Sequence, residues 1–411
     1  MTLTRRGFAL GTAGAAAAMA LARPAIAQSE PIRIGWLGSL TGPLAAPGVG
    51  FDRGMKWALA EVNGAGGVKG RHVEIIVRDT QGDPTKAVNA TQELISRQKV
   101  HAMWGPGNSG EALATTPIMA RQKMPDLHPC VVNSLIDPEK YPNAFRLAPS
   151  NTQWDDAVRH YTLDIVRAKD VAVIGDSTGY GTSAVKDSVA NFKKDGANVV
   201  YQATIDPNTS DVTPDMLRMR DSGAKALVIW SVTTGLNSRL MNARAAIKWD
   251  VPIIGHPALG TGEVGKLVDK PANWENVYMV GYRSCSYGAD GKLPARSQEF
   301  VDKIKGKIEL ADTSLWWVLC AVDAVNVITR AVAETGSTAP EALIGAWNKL
   351  DPYPGLFGNY RFSPTQHNGY PTDEVVMSAA NSQRDLVGLG CEEQTKGWGR
   401  GRAPTCLLRP C

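Results

Sequence analysis

Ile32-Arg33-Ile34-Gly35-Trp36-Leu37, followed by Ser39-Leu40-Thr41-Gly42-Pro43, opens the part of the chain whose reading decides the fold. A short apolar, β-branched run broken by Gly and Pro reads as a strand entering a loop. A helix follows from about Gly50 to Asn63, and Gly66-Gly67-Val68-Lys69-Gly70 then turns the chain into a second strand, Val73 to Val77. The next helix, Pro84 to Arg97, has apolar positions at Ala87, Val88, Leu94 and Ile95 and leads to strand Ala102 to Trp104. The same rhythm restarts at Val171-Ala172-Val173-Ile174 and continues through Val199 to Ala203, Ala226 to Trp230 and Val251 to Ile254. Strands alternating with helices give parallel sheets, so two such series predict an α/β protein with two doubly wound parallel-sheet lobes. Thr313 to Glu334 reads as a long core helix, Tyr353 to Gly358 as a loop, and Tyr360-Arg361-Phe362 as the last strand.

The remainder of the chain bounds the function. Its 411 residues are 43% apolar and 20% charged, an ordinary globular composition. The formal charge is +4, but residues 1–27 carry three bases and no acid. Residues 386–411 add a net of two, which leaves the body near −1 and without the basic footprint of a nucleic-acid binder. Thr4-Arg5-Arg6-Gly7-Phe8, the weakly apolar run Ala9 to Leu21 and Ala25-Ile26-Ala27 predict a Tat-like signal peptide cleaved after Ala27. That places the mature protein in the periplasm. From Leu386 onward Gly, Cys and Arg dominate and periodicity is lost, which suggests either a frameshift near Asp385 or a genuine irregular tail over 386–411. Cys130, Cys285 and Cys320 are scattered and Cys391, Cys406 and Cys411 crowd the end, with no C-x-x-C spacing. The six histidines show no H-x-x-x-H or H-E-x-x-H pair, so neither a metal nor another cofactor is expected.

Two stretches imitate catalytic motifs. Gly105-Pro106-Gly107-Asn108-Ser109-Gly110 matches G-x-G-x-x-G between a strand and a helix, but its nearest acid, Asp126, precedes the following strand instead of ending it. What survives is a nest of amides at a helix start, with the Ser109 hydroxyl, suited to a carboxylate. Gly175-Asp176-Ser177-Thr178-Gly179 matches G-x-S-x-G, and Asp211 or Asp215 with His256 could complete a triad. A second turn signal, Tyr180-Gly181, weakens that reading.

Taken in order, Ile34-Gly35, Ser39 to Pro43, Asn63 to Gly70, Asp79-Thr80-Gln81-Gly82-Asp83-Pro84, Trp104 to Gly110, Phe145-Arg146, Asp176 with Tyr180-Gly181, and Ala243 to Ala246 resemble the type I periplasmic solute-binding proteins of the branched-chain amino acid class, over residues 31–384. The resemblance implies lobe 1 over 30–149 and 284–354 and lobe 2 over 150–283 and 355–385. Three crossings, near Pro149, Val280 and Gly355, join them in a hinge that closes on ligand. It implies a non-enzymatic monomer that hands a small solute to an inner-membrane ABC permease. Carried over by position, Asn108, Ser109 and the amides of Gly110 and Glu111 match the carboxylate loop. Cys130, Val131 and Val132 match the segment at the ligand's polar head, with Asn133 a substitute for the hydroxyl that Val132 lacks. Tyr180, Trp230, Val232 and the His256-Pro257 turn match the second-lobe contacts.

One departure bears on specificity. No acid stands near Pro257 to pair with a ligand ammonium, and Asp176 and Glu263 are the alternatives. A buried ammonium without a counter-charge costs on the order of 3–5 kcal/mol. A carboxylate or amide, aromatic in view of Trp36, Trp230 and Tyr180, is therefore expected over a zwitterionic amino acid. A secreted α/β hydrolase using Ser177 and a ligand-sensing receptor domain are the rival functions.

Overall fold

Ile32–Gly38 forms β1 in a computed structural model that describes residues 30–381 and 384–385 except 289, 309, 311 and 312. The expected signal, its cleavage site, the tail and Cys391, Cys406 and Cys411 lie outside those residues. β1 is bonded on both sides, to β2 (Val73–Asp79) and β3 (Ala102–Trp104). It is accordingly apolar on both faces, with Ile32, Ile34 and Trp36 in one core and Leu37 in another. β4 (Asp126–His128) and β5 (Ala144–Arg146) complete a parallel five-stranded sheet of order β2-β1-β3-β4-β5. Its helices are α1 (Ala45–Gly64), α2 (Pro84–Ser96) and α3 (Ser109–Arg121).

After α4 (Asn151–His160) the pattern repeats. β6 (Asp170–Asp176), α5 (Gly179–Lys194), β7 (Asn198–Ile205), α6 (Thr213–Asp221), β8 (Ala226–Trp230), α7 (Thr234–Ala246), β9 (Ile253–Gly255), α8 (Gly262–Leu267) and β10 (Val277–Tyr282) build a second sheet. Its parallel part, β7-β6-β8-β9-β10, has the topology of the first sheet. Beyond β10 the chain adds α9 (Ala295–Ile304), α10 (Leu315–Thr335), α11 (Pro340–Trp347) and the short pair β11 (Tyr353–Pro354) and β12 (Asn359–Tyr360). α10 is long and apolar enough to cross a bilayer, yet it is core, lying along α1. Gly54 allows that approach, since a Cβ there would collide with the Val318 carbonyl.

Val280 is inside β10, paired to Met377, two residues before that strand ends at Tyr282. One expected boundary moves. Gly355 does not lead into the second sheet, because Gly355 to Tyr370 is bonded to the first lobe. The Arg146 amide donates to the His367 carbonyl and Gly369 donates back to Arg146, both at 2.9 Å, while His367 stacks on Phe145 at 3.8 Å. The Gly/Pro turn after β11 closes a hairpin whose Phe357, Tyr360 and Phe362 are buried in the first-lobe core. The third crossing therefore comes after Tyr370, and the chain then forms β13 (Val375–Ala379), antiparallel to β10, followed by β14 (Arg384–Asp385). Gln153 ties the first and third crossings: its side chain donates to the Tyr370 carbonyl and accepts from Ser150 and Asn368.

Candidate functional site: the interlobe cleft

In open parallel sheets ligands sit beyond the carboxyl ends of the strands. Here those ends, of β1, β3 and β4 in one lobe and β6, β8 and β9 in the other, face each other across the hinge. The first lobe contributes the start of α3. Asn108 caps it, accepting the Glu111 amide at 3.0 Å and donating to Ser39 Oγ at 3.1 Å. The Glu111 amide is thus spent on the cap, a correction to the expectation above, which leaves those of Ser109 and Gly110, at the first positions of α3, without an intrahelical acceptor.

Cys130, Val131 and Val132 are buried beside this loop. The Cys130 thiol donates to the Pro106 carbonyl at 3.1 Å, and burial raises its pKa well above the usual thiol value. The carbonyls of Cys130 and Val132 accept the Arg146 guanidinium, and that of Val131 accepts the Asn151 amide. Asn133 does not substitute for a missing hydroxyl: it is exposed, and its side-chain oxygen accepts from Thr152.

In the second lobe Tyr180 and His256 are buried with ring centroids 5.1 Å apart, the His256 ring beginning the Pro257–Gly260 turn. His256 Nδ1 accepts the Ala258 amide, and burial pushes its pKa down to about 3. At neutral pH it is therefore an uncharged ring whose Nε2–H is a donor. Val232 gives its amide to Asp176 Oδ2 at 2.9 Å, so it holds the lobe together and offers no donor. Trp230 is fully buried, and no ring pair of the cleft includes it. Trp36 likewise is core, stacked on Trp104. Asp176 spends both oxygens on Thr178, Val232 and Thr233, while Glu263 accepts from Thr234 at the part-exposed start of α8. Ser177 is exposed, and among the described residues its hydroxyl meets no histidine.

Three residues passed over in the sequence complete the cleft. Trp154 packs edge-on to His256 (5.1 Å), Tyr180 (6.2 Å) and Trp316 (6.4 Å), and Tyr282 lies 5.3 Å from Trp316. Trp154 stands near the start of α4, just after the first crossing, which is the one signal that could have found it, whereas Trp316 opens α10 far from any crossing. Rings from both lobes thus meet in one layer. The Nε1 atoms of Trp154 and Trp316 and the hydroxyls of Tyr180 and Tyr282 are buried there without a partner in the protein. Nε1 of the core rings Trp36, Trp104, Trp230 and Trp347 is equally unpartnered, so what marks these four as a candidate recognition surface is their meeting in one layer between the lobes.

Glu111 is fully buried behind the loop, one oxygen without a partner and the other 3.4 Å from Ser39 Oγ. Burial raises its pKa to about 7, opposed by hydrogen bonds from Thr80, Ser39 and Asn108. An acid raised in the folded state contributes stability that is complete below its unfolded pKa, near 4.5, and lost as pH rises through about 7. Glu111→Gln should therefore melt close to wild type near pH 4.5 and several degrees above it at pH 8, from about 3 kcal/mol at most. A melting difference that stays flat between those pH values would show that Glu111 is not held neutral.

Among the described residues no group of three or more His, Cys, Asp or Glu could hold a metal, and Cys130, Cys285 and Cys320 are free thiols. An open groove of about 710 Å³ lies at the far end of the second sheet, beside Arg244, Lys248 and Tyr278. Arg244 is committed there to the carbonyls of Val251, Asn273, Glu275 and Asn276.

The periplasmic binding protein family model matches residues 31–382. Leu/Ile/Val-binding protein homolog 3 of Brucella melitensis is 23% identical over 354 residues, 85% of this chain and 92% of that protein. Among solved structures, the branched-chain amino acid transporter substrate binding protein LivJ of Streptococcus pneumoniae, in complex with isoleucine, superposes with a TM-score of 0.74 at 20% identity, covering 87% of this chain and 98% of the other. A solute binding protein of an ABC transporter from R. palustris, in complex with 4-hydroxybenzoate, gives 0.72 at 22% identity, with 85% and 92% covered. The likeness covers both lobes and is to solute-binding proteins, not enzymes, which leaves the hydrolase reading without support. The chain belongs to the periplasmic binding protein family.

Proposed function

We propose that this chain is the periplasmic solute receptor of an ABC importer, closing as a monomer over a small aromatic carboxylate and delivering it to an inner-membrane permease. The observation that carries this reading is the layer of Trp154, Tyr180, Tyr282 and Trp316, whose polar tips have no partner in the protein. Rings of this kind sandwich an aromatic solute, and the free N–H and O–H groups meet a carboxylate or a ring hydroxyl. The amides of Ser109 and Gly110 and the neutral Nε2–H of His256 favour an anion. No acid stands at the His256-Pro257 turn for an ammonium, and Asp176 is fully engaged within its own lobe. The complex of the R. palustris relative with 4-hydroxybenzoate supports the same class.

The branched-chain amino acid reading keeps one observation of its own, the unpartnered oxygen of Glu111. A thermal-shift series separates the two. At 100 times its dissociation constant a ligand adds about 2.7 kcal/mol, a shift of several degrees. Benzoate and 4-hydroxybenzoate should raise the melting temperature while leucine, isoleucine and valine leave it unchanged. The reverse pattern would replace the aromatic carboxylate by an amino acid.

A further inference from the structure

Within the second lobe, α4 and α5 lie side by side and enclose a group of oxygen atoms that the cleft does not use. Trp154 of α4 packs edge-on to Tyr180 of α5, and farther along the pair the Asn191 side chain donates to Asp155 Oδ2 at 2.7 Å. Tyr180, Ala184, Ser188 and Asn191 stand at helical spacing on one stripe of α5, as Asn151 and Asp155 do on α4. Asp187 lies beside them: burial and the Asp155 charge raise its pKa, while Lys186 and a hydrogen bond from Asn151 oppose the rise. The two helices thus bring two carboxylates, an amide and a hydroxyl into one seam.

Asp155 is fully buried, and its second oxygen, Oδ1, has no hydrogen-bond partner among the described residues. The same holds for Asn151 Oδ1 and Ser188 Oγ, on residues 2% and 0% exposed. The side-chain oxygens of Asn and ionised Asp can only accept. Acceptors buried against acceptors cost free energy unless something positive lies between them. Arg159 does not fill that place, because it donates to the other oxygen of Asp155, Oδ2, at 2.9 Å and is shared with Asp156 and Asp195. A hard cation, by contrast, is met by carboxylate, amide and hydroxyl oxygens together.

We infer that the seam between α4 and α5 is a site for a hard cation of calcium's size, held by Asp155 Oδ1, Asn151 Oδ1, Ser188 Oγ and the Asp187 carboxylate, with water completing the coordination. The donors are all oxygen, which selects against zinc and copper. Only two of them are acids, so the site is distinct from the clusters of three or more excluded above. Calcium accepts irregular oxygen geometry, whereas magnesium demands a near-ideal octahedron and gives up its water reluctantly. Asp187, partly exposed, is the point of entry. The ion braces the two helices that carry Trp154 and Tyr180 to the cleft, whatever solute the cleft takes.

The experiment titrates the full chain, stripped with a chelator and without solute, with calcium chloride in a calorimeter. One saturable site is expected, with a dissociation constant on the order of 10⁻⁴–10⁻³ M, and magnesium should bind at least about tenfold more weakly. Calcium at about ten times that constant should raise the melting temperature by about one degree or more. Terbium should take the same site, emit on excitation of Trp154 and be displaced by calcium. Asp187→Asn should weaken calcium binding by about tenfold or more, while its metal-free melting temperature stays at or above that of wild type, since a like charge beside Asp155 is removed. Trp154→Phe should dim the terbium emission and leave calcium affinity unchanged. A wild type without saturable calcium binding, undiminished binding in Asp187→Asn, or undiminished terbium emission in Trp154→Phe would overturn the site. Each of these outcomes leaves the aromatic carboxylate reading in place, because that reading is tested with the solute alone.

Discussion

Trp316→Ala is expected to weaken binding of an aromatic carboxylate by about two orders of magnitude, measured by titration calorimetry. Trp316 stands in the first turn of α10 and is the ring through which the lobes meet. On its own side it packs against Phe51 at 5.7 Å and stacks on Phe357 at 5.6 Å. Across the cleft it meets Trp154 and Tyr282. Aromatic pairs contribute about 0.5–1.5 kcal/mol each beyond area burial, so two cross-lobe pairs amount to roughly 1–3 kcal/mol that exists only in the closed state. The lost Nε1 donor adds to this. Trp316→Phe keeps the packing and removes the donor, and should lose about tenfold. Binding by Trp316→Ala within about threefold of wild type would place the ligand elsewhere.

The largest effect on stability is expected at Arg146. Its side chain is buried with no acid beside it, donating to Asn368 Oδ1 at 2.7 Å and to the carbonyls of Cys130 and Val132 at 3.2 and 3.0 Å. Burial lowers its pKa to about 9, so at neutral pH it remains charged and those bonds are charge-assisted. They fasten the loop after β4 to the segment leading into the third crossing. Arg146→Met leaves three acceptors without a donor at about 1.5–3 kcal/mol each, less the desolvation that arginine bears, or on the order of 3–5 kcal/mol net. The urea midpoint should fall accordingly, and ligand affinity with it as the Val132 loop loosens. Arg146→Lys should restore less than half, since an ammonium cannot span the three acceptors of the guanidinium. A loss under about 1 kcal/mol would show that water satisfies these carbonyls unaided.

The strands were legible because parallel strands buried on both faces must be short and apolar. That is what Ile32 to Leu37, Val171 to Ile174 and Ala226 to Trp230 display. The position of the cleft followed, since loops at strand ends carry the glycines and hydroxyls of Gly105 to Gly110 and Ser177 to Gly181. Individual roles were less legible. Asn133 has a side chain suited to a ligand, yet the turn directs it to the Thr152 amide. The Glu111 amide lies one residue too far along α3 to escape the cap. Trp230 ends a strand beside the site but is sealed in the core, whereas Trp154 sits in a largely polar helix and Trp316 in one whose other residues read as plain core.

The third crossing was misplaced for a related reason. A Gly/Pro turn near Gly355 marks a change of direction but not a destination. Asp323 decides that destination by accepting the amides of Leu356 and Phe357, each at 2.7 Å, and the Tyr360 hydroxyl at 2.9 Å. These bonds hold the hairpin to the first lobe.

The sequence by itself determined the class of the fold, its two lobes and the ends of the strands where a solute would bind, because backbone pairing and apolar periodicity are local properties of the chain. Only the tertiary structure decided which aromatic rings face one another, which acid keeps a free oxygen and where the lobes touch. Those depend on residues far apart in the chain, such as Gly110 with Gly179 or Trp154 with Trp316, brought together by the crossings of the hinge.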